Sequence, residues 1–283
     1  MGNGIAHVLG LHGFSVQLVD LQPEALQRAQ QTIERNLERQ LTKEVITEAQ
    51  RQSALENIKT NQNLAKAVAS ADLVIEAATE NVAVKLQIFE QLDKQCPEKT
   101  ILATNTSSIS ITKIAAATQR PERVIGMHFM NPVPVMPLVE IINGYATDPQ
   151  VTEQIKELTL QLDKTPLVVN DYPGFVANRI LMPMINEAII ALHEGVAGVR
   201  EIDQIMKLGM AHPMGPLKLA DFIGLDVCLS ILQVLHEGLG NPKYAPCPLL
   251  INMVMAGKLG SKSGEGFYDY SEGPKSERIS AKF

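Results

Sequence analysis

Two apolar runs, Asp72-Leu73-Val74-Ile75-Glu76 and Thr100-Ile101-Leu102-Ala103-Thr104, flank a segment, residues 82–95, whose apolar residues recur at helical spacing. Neither run alternates strictly between polar and apolar residues, which is typical of strands that are covered on both faces. Two parallel strands joined by a helix form the unit from which α/β folds are built. This stretch therefore predicts a mostly parallel sheet with helices on both faces.

The same alternation continues on either side of this unit and then stops. Further β-rich runs are Val16–Asp20, Val124–Phe129, Leu138–Ile142 and Thr165–Asn170, and further helical patterns are Pro23–Thr42 and Pro149–Asp163. Beyond them the patterns are helical: Phe175–Glu194, Ile202–Leu208, Leu217–Phe222, Leu225–His236 and Pro248–Met255. We therefore predict an α/β domain, residues 1–170, followed by an all-helical domain, residues 171–283.

The composition narrows the class of protein. The chain has 283 residues, 25 Lys+Arg against 31 Asp+Glu, and 45% hydrophobic residues, which excludes a disordered chain and fits about two domains at ~150 residues each. A nucleic-acid surface needs clustered Lys and Arg, and a membrane helix needs ~18 apolar residues in a row; neither is present. Cys96, Cys228 and Cys247 form no pair or metal-ligand spacing. We expect a cytoplasmic globular protein with no nucleic-acid, membrane or metal partner.

Gly2 and Gly4 open a helical stretch that leads into the run ending at Asp20. Dinucleotide-binding units place an acidic residue at such a strand end, where it bonds the ribose hydroxyls. The complete fingerprint also needs a preceding strand and two more glycines, which do not occur before Met1. Glycines near a helix start more often serve packing or capping, so this fragment alone is weak evidence for a dinucleotide-binding unit.

Four polar residues are candidate site residues, and two of them lie at predicted strand ends, where an α/β protein exposes ligand-binding groups. His128 ends a predicted strand, and an imidazole, which titrates near neutrality, suits a general base. Glu140 in the next strand could bond the other ring nitrogen, although a structural His and a surface Glu fit the spacing equally well. Ser107 could donate to a substrate oxygen or cap a helix, a role that Ser108 or Ser110 would also fill. Asn178 lies early in a predicted helix and can donate through its amide, but such residues usually face solvent.

Seven segments, in order over essentially the whole chain, resemble the L-3-hydroxyacyl-CoA dehydrogenase family, close to its bacterial 3-hydroxybutyryl-CoA dehydrogenase branch. They are Met1–Ala6, Asp72–Ala77, Asn105–Ser108, His128–Met136, Tyr172–Arg179, His212–Leu217 and Gly264–Tyr268. The segments around His128 and Asn178 are specific, whereas the glycine fragment is not. The resemblance implies a Rossmann-like doubly wound sheet in the first domain, and a substrate and dimerisation role for the second domain within a homodimer.

The resemblance also implies site residues. His128 would be the catalytic base, Glu140 its partner, and Ser107 and Asn178 the groups that contact the reacting acyl chain. The implied cofactor positions are Gly2 at the pyrophosphate, Asp20 at the adenosine ribose, and Glu80, Lys85, Asn131 and Lys262. Glu80 and Lys85, judged by residue type alone, would be solvated. An acidic Asp20 favours NAD, because it repels the 2′-phosphate of NADP, but NADP use is left open.

Residues 30–57 form a long charged helical pattern, which predicts a helical hairpin between strands. In the family this excursion meets the CoA moiety. The resemblance implies that Lys43 contacts CoA, whereas Asn36 stands where some relatives carry Ser, which puts a second CoA contact in doubt.

The resemblance implies an oxidoreductase that interconverts (S)-3-hydroxybutyryl-CoA and acetoacetyl-CoA by hydride transfer to or from NAD. Two alternatives remain open: a dehydrogenase of a free hydroxy acid or sugar acid, and a non-catalytic homologue that keeps the fold. In the family a strand and a glycine turn precede the residue matching Gly2. We therefore expect that Met1 is an internal methionine and that the sheet of the present chain has a gap or a rearranged pairing.

Overall fold

A computed structural model describes residues 1–283, which divide into two units, Met1–Tyr172 and Pro173–Phe283. The sequence-predicted domain boundary after residue 170 lies just before this division. The first unit contains strands and helices, and the second contains helices joined by short turns.

The first unit has seven strands and seven helices. The strands are β1 (Val16–Val19), β2 (Ile58–Asn61), β3 (Leu73–Glu76), β4 (Ile101–Thr104), β5 (Val124–Phe129), β6 (Leu138–Asn143) and β7 (Thr165–Asn170). The helices are α1 (Gly2–Leu11), α2 (Pro23–Thr42), α3 (Glu48–Asn57), α4 (Leu64–Val68), α5 (Val82–Gln95), α6 (Ile111–Ala115) and α7 (Pro149–Gln161). The sequence did not predict β2, α4 and α6, because four or five residues are too few to show a period.

Local sequence explains where the helices begin. Pro23 and Pro149 occupy first-turn positions, where the missing N–H costs no hydrogen bond. Thr47 and Gln50 form a capping box at the start of α3, which is the second helix of the predicted helical hairpin. Asn81 caps α5 by accepting a hydrogen bond from the backbone N–H of Val84 at 3.1 Å.

The strands form two sheets. In one, β1 and β2 pair in parallel, and in the other the order is β3-β4-β5-β6-β7. No pairing joins β1 to β3, so the sheet is interrupted as the sequence led us to expect. All pairs are parallel except β5 and β6, which run antiparallel and place His128 directly opposite Glu140.

The core of the first unit lies against the five-stranded sheet. Every residue of β4 and β5 is buried, and Ile5 and Val8 of α1 belong to the same apolar cluster. The glycines of α1 permit close packing: a Cβ on Gly10 would lie 2.5 Å from Ile58, and one on Gly4 would lie 3.0 Å from Val133. Packing therefore accounts for Gly4, as the packing interpretation of the glycine fragment supposed, and it also accounts for Gly10.

The second unit contains five α-helices, α8 (Ala177–His193), α9 (Val199–Gly209), α10 (Pro216–Ile223), α11 (Leu225–Leu239) and α12 (Pro248–Met255), and a C-terminal segment, residues 256–283, that has no α-helix. Their inward faces form one apolar cluster that includes Ile189, Leu217, Leu232 and Phe267. No single helix has the length and apolar composition to cross a membrane, and α10 with α11, which together meet those criteria, are bent by 97°.

Two buried aspartates hold the second unit together. Asp221 on α10 accepts hydrogen bonds from the backbone N–H groups of Phe267 (3.0 Å) and Tyr268 (2.9 Å) and from the Tyr270 hydroxyl (3.1 Å). Burial raises the pKa of Asp221 to about 6. A Cβ on Gly266 would lie 1.9 Å from Asp221 Oδ1, so only glycine fits there. These contacts fasten the C-terminal segment onto α10.

The second aspartate, Asp203 on α9, caps the neighbouring helix. Its carboxylate accepts hydrogen bonds from the backbone N–H groups of Leu217 (2.8 Å) and Lys218 (3.0 Å), which begin α10. The Tyr268 hydroxyl also donates to Asp203 at 2.7 Å. Burial raises the pKa of Asp203 above its usual range. Tyr268 thus links both carboxylates, through its main chain to Asp221 and through its side chain to Asp203.

Candidate active site

His128 and Glu140 form a buried pair across β5 and β6. The ring Nδ1 lies 2.8 Å from Glu140 Oε2, and the two residues are only 8% and 3% exposed. Because an ionised carboxylate accepts hydrogen bonds and cannot donate them, Nδ1 is assigned the ring proton in the neutral imidazole. Nε2 then acts as an acceptor toward any group that meets it, which is the state required of a general base.

Ser107 lies on a turn that Glu80 holds from the neighbouring loop. The Ser107 backbone N–H donates to Glu80 Oε1 at 2.7 Å, and the Ser107 hydroxyl donates to the same oxygen at 3.0 Å. The Thr106 hydroxyl donates to Glu80 Oε2 at 2.7 Å. Both oxygens of Glu80 are therefore engaged with the turn that follows β4.

The adjacency of β4 and β5 brings this turn toward His128. The carboxyl ends of parallel neighbouring strands meet at one edge of the sheet, where α/β proteins bind ligands. Asn105 accepts a hydrogen bond from the Phe129 backbone N–H at 2.8 Å, which joins the end of β4 to the end of β5. Ser110, not Ser107, caps α6, since its hydroxyl accepts from the Lys113 backbone N–H at 3.2 Å.

Lys85 is almost completely buried, unlike the solvated group that its residue type suggested. It is 1% exposed, and its Nζ lies 2.5 Å from Glu76 Oε2. The Thr104 hydroxyl donates to the same oxygen at 2.8 Å, and the Thr106 backbone N–H donates to Thr104 at 3.2 Å. This ion pair supports the ends of β3 and β4 beneath the Glu80 turn, and a contact of Lys85 with a cofactor stays a prediction.

The first turn of α1 and the end of β1 offer a donor set that fits a dinucleotide. α1 begins after Met1 with no side-chain cap, and uncapped helix N–H groups bind phosphate well. Gly2 leaves the approach open, since a Cβ there would meet nothing closer than Ala77 at 3.9 Å. Asp20 is exposed directly after β1, and its Oδ1 accepts from the Gln22 backbone N–H at 2.9 Å.

The remaining predicted site residues differ in exposure and in their contacts. Asn131 is exposed in the loop after β5, and Lys43 is exposed just after α2, on which Asn36 is half-buried. In the second unit, Asn178 lies in the first turn of α8 and is 8% exposed, so it is not the solvent-facing residue that its type suggested. Lys262 forms an ion pair with Asp226 at 2.5 Å.

Sequence reasoning missed two residues that shape the site. Lys164 is buried, and its Nζ donates to the backbone oxygens of Val133 (2.7 Å) and Met136 (2.8 Å), in the loop that follows His128. Burial lowers the pKa of Lys164. Asp171 accepts from the Ser110 hydroxyl at 2.7 Å and from two backbone N–H groups at the start of α6. The contacts of both residues depend on segments that are far apart in the sequence, so no local sequence pattern predicts them.

No three His, Cys, Asp or Glu side chains are grouped so as to hold a metal ion.

Comparisons with known proteins cover both units. Residues 1–172 match the family described as 3-hydroxyacyl-CoA dehydrogenase, NAD binding domain, and residues 174–270 match its C-terminal domain. The chain is 55% identical to a probable 3-hydroxybutyryl-CoA dehydrogenase of Bacillus subtilis, over 96% of this chain and 94% of that protein. It is 56% identical to a 3-hydroxybutyryl-CoA dehydrogenase of Bradyrhizobium diazoefficiens, over 95% and 92% of the two chains. The crystal structure of an (S)-3-hydroxybutyryl-CoA dehydrogenase from Ralstonia eutropha is similar with a TM-score of 0.93 and 50% identity, over 96% and 95% of the two chains.

Proposed function

This chain belongs to the 3-hydroxyacyl-CoA dehydrogenase family, and on that premise we propose that it interconverts (S)-3-hydroxybutyryl-CoA and acetoacetyl-CoA by hydride transfer to or from NAD. The family resemblance and the expected fold, a Rossmann-like α/β unit followed by a helical unit, are confirmed. The chain is an NAD-dependent oxidoreductase. The choice of the four-carbon substrate rests on the 3-hydroxybutyryl-CoA dehydrogenases that share about half of their residues with this chain.

The observation that carries the chemical proposal is the buried pair of His128 and Glu140, with Nδ1 and Oε2 2.8 Å apart. When the alcohol is oxidised, His128 Nε2 accepts the proton of the C3 hydroxyl. Glu140 keeps the Nδ1 proton in place and stabilises the imidazolium that forms. In the reverse direction the imidazolium returns the proton to the oxygen of the ketone.

NAD, when bound, accepts the hydride that leaves C3. The first turn of α1 at Gly2 would hold its pyrophosphate and the Asp20 carboxylate its adenosine ribose, where a 2′-phosphate would be repelled. Asn131, Lys262, Lys85 and Glu80 are the further cofactor positions of the proposal. The Ser107 hydroxyl is held by a hydrogen bond to Glu80, and Asn178 is buried, so both side chains have the fixed position that orienting the acyl group requires. Lys43 is exposed, so it can contact CoA.

The test is oxidation of NADH by the purified protein with acetoacetyl-CoA, followed by absorbance. Replacing the base, His128→Gln, should lower kcat about 10³-fold, since positioned proton transfer contributes that much. Free acetoacetate should react far more slowly than its CoA ester, and titration calorimetry should detect NAD binding. A wild type that is inactive on every acyl-CoA, or a His128→Gln variant with the wild-type rate, would overturn the proposal.

We extend the proposal to a homodimer formed through the second unit. That unit exposes large apolar side chains, among them Ile180 (68%), Leu208 (82%), Phe222 (61%) and Met255 (81%), which an interface would cover. Light scattering should give twice the 30.9 kDa mass of the chain. Replacing Leu208 with Glu at such an interface should shift the protein toward monomer, whereas a monomeric wild type would refute the dimer.

A cytoplasmic location belongs to the same proposal. All three cysteines, Cys96, Cys228 and Cys247, are buried free thiols, which suits a reducing compartment. Fractionation of cells that produce the protein, followed by immunoblotting, checks the location; recovery outside the cytoplasmic fraction would contradict it.

A further inference from the structure

The contacts of Glu80 determine which way the Ser107 hydroxyl points. Glu80 Oε1 receives the Ser107 backbone N–H at 2.7 Å and the Ser107 hydroxyl at 3.0 Å, while Oε2 receives the Thr106 hydroxyl at 2.7 Å. A backbone N–H can only donate, so the oxygen that meets it must be an acceptor. Thr106 in turn accepts from the Ile109 backbone N–H at 3.0 Å, which leaves its own proton for Glu80.

A hydroxyl has one proton and two lone pairs. Because the Ser107 proton is directed to Glu80, any other group that contacts Ser107 Oγ meets it as an acceptor. The same logic holds for His128, whose Nδ1 proton is directed to Glu140 at 2.8 Å, so that Nε2 also meets its neighbours as an acceptor. Two buried or half-buried side chains at one sheet edge thus each direct their proton to a carboxylate.

We infer that Glu80 is a positioning residue that sets the hydrogen-bond polarity of Ser107, so that the site prefers a ligand with a donor, the C3 hydroxyl, over a ligand with an acceptor, the C3 ketone. This inference rests on the proposed function, and it reverses the expectation that Ser107 donates to a substrate oxygen. The alcohol can donate to His128 Nε2 or to Ser107 Oγ, whereas the ketone finds no donor in either until one of them changes its protonation or its rotamer.

The experiment compares dissociation constants of (S)-3-hydroxybutyryl-CoA and acetoacetyl-CoA, measured by titration calorimetry at pH 8 without nicotinamide. In Glu80→Ala the Ser107 hydroxyl loses the acceptor to which its proton is directed, and it can donate to the ketone. The ratio of the two dissociation constants, ketone to alcohol, should therefore fall about tenfold, the value of one hydrogen bond. In Ser107→Ala the same Glu80 replacement should leave the ratio unchanged.

Glu80→Gln is the matched control that removes charge but keeps polarity. The Ser107 backbone N–H still requires an acceptor, so the amide oxygen of Gln faces Ser107 and its NH₂ group faces Thr106. The ratio should stay within about twofold of wild type, since no hydrogen bond to Ser107 is lost. Should Glu80→Ala not fold, as judged by circular dichroism, Glu80→Asp shortens the side chain and should lower the ratio in its place.

The bond between Glu80 and Ser107 is also measured without any ligand. In urea unfolding, the Glu80→Ala and Ser107→Ala replacements should be non-additive by about fivefold in the unfolding equilibrium constant. Additive effects, an unchanged ratio in Glu80→Ala, or an equal change in the Ser107→Ala background would each overturn the inference and would leave the proposed function standing. A wild type that binds neither acyl-CoA would overturn the proposed function together with it.

Discussion

Both units bury carboxylates, but they give them different partners. In the first unit Glu140 faces the His128 ring at 2.8 Å, a partner that gains and loses a proton. In the second unit Asp221 faces two backbone N–H groups and a tyrosine hydroxyl, which keep their protons at physiological pH. The partner of Glu140 can therefore exchange a proton with a substrate during a reaction, whereas the partners of Asp221 serve to hold two segments together.

The surroundings of the two groups agree with this division. Asp221 is fully buried, and Gly266 and Gly260 approach it so closely that no other residue fits. Glu140 lies at the same edge of the sheet as the Asn105–Ser107 turn. Ser107 in this turn donates a hydrogen bond to Glu80, which is exposed to solvent. A buried carboxylate therefore indicates catalysis only when its partner can titrate and lies near a ligand-accessible edge.

Replacing Glu140 with Gln should separate activity from stability most strongly. The neutral amide no longer stabilises the imidazolium, and in one orientation it donates to Nδ1 and moves the ring proton to Nε2. We expect kcat for acetoacetyl-CoA to fall about 10³-fold, or ~4 kcal/mol in activation free energy. The free energy of unfolding in urea should change by less than about 1 kcal/mol, because the side chain keeps its shape. Unchanged kcat would remove Glu140 from the mechanism.

Replacing Asp221 with Ala should do the opposite. Three donors, from Phe267, Tyr268 and Tyr270, would be left buried without an acceptor. At about 1–3 kcal/mol each, with partial relaxation, the free energy of unfolding should fall by ~4 kcal/mol. Glu272→Ala, whose side chain is 75% exposed beside Arg278, is the control and should cost less than about 0.5 kcal/mol. Equal stability of the two variants would contradict the assignment of Asp221 as the clamp.

The pH dependence of stability should reveal the burial of Asp221. Its folded-state pKa of about 6 lies above the ordinary value of 3.8, so between these values the folded state binds more protons than the unfolded state. This contribution to stability is complete below about pH 4 and is lost as the pH rises through 6. The unfolding free energy of wild type minus that of Asp221→Asn should therefore fall by up to ~3 kcal/mol between pH 4 and pH 7. A difference that rises with pH would reverse the argument.

The smallest effect is expected from Tyr270→Phe. This change removes one of the three donors to Asp221 and leaves the ring in place. The free energy of unfolding should fall by about 1 kcal/mol, and kcat should not change. A loss as large as that of Asp221→Ala would mean that the Tyr270 hydroxyl alone carries the clamp and that the two backbone hydrogen bonds to Asp221 contribute little.

Much of the architecture could be predicted because its signals are local. Six apolar runs became strands, and the Pro and Gly positions marked where helices begin and end. The order of the motifs along the chain led to the family, which the comparisons confirm. Short elements were missed: Ile58–Asn61 owes its strand conformation to pairing with Val16–Val19, and four residues carry too little pattern to show it.

The sequence alone placed His128 and Glu140 in neighbouring strands, since strand periodicity and strand ends are written in residue type. It left open whether the two side chains meet, whether Lys85 is solvated and which serine caps α6, because each answer depends on the register and packing of segments far apart in the chain. The antiparallel register of β5 and β6 set His128 against Glu140, and the packing of α5 buried Lys85 on Glu76. Contacts of this kind have no local signal, because their energy comes from desolvation and hydrogen bonds that exist only after the strands have paired.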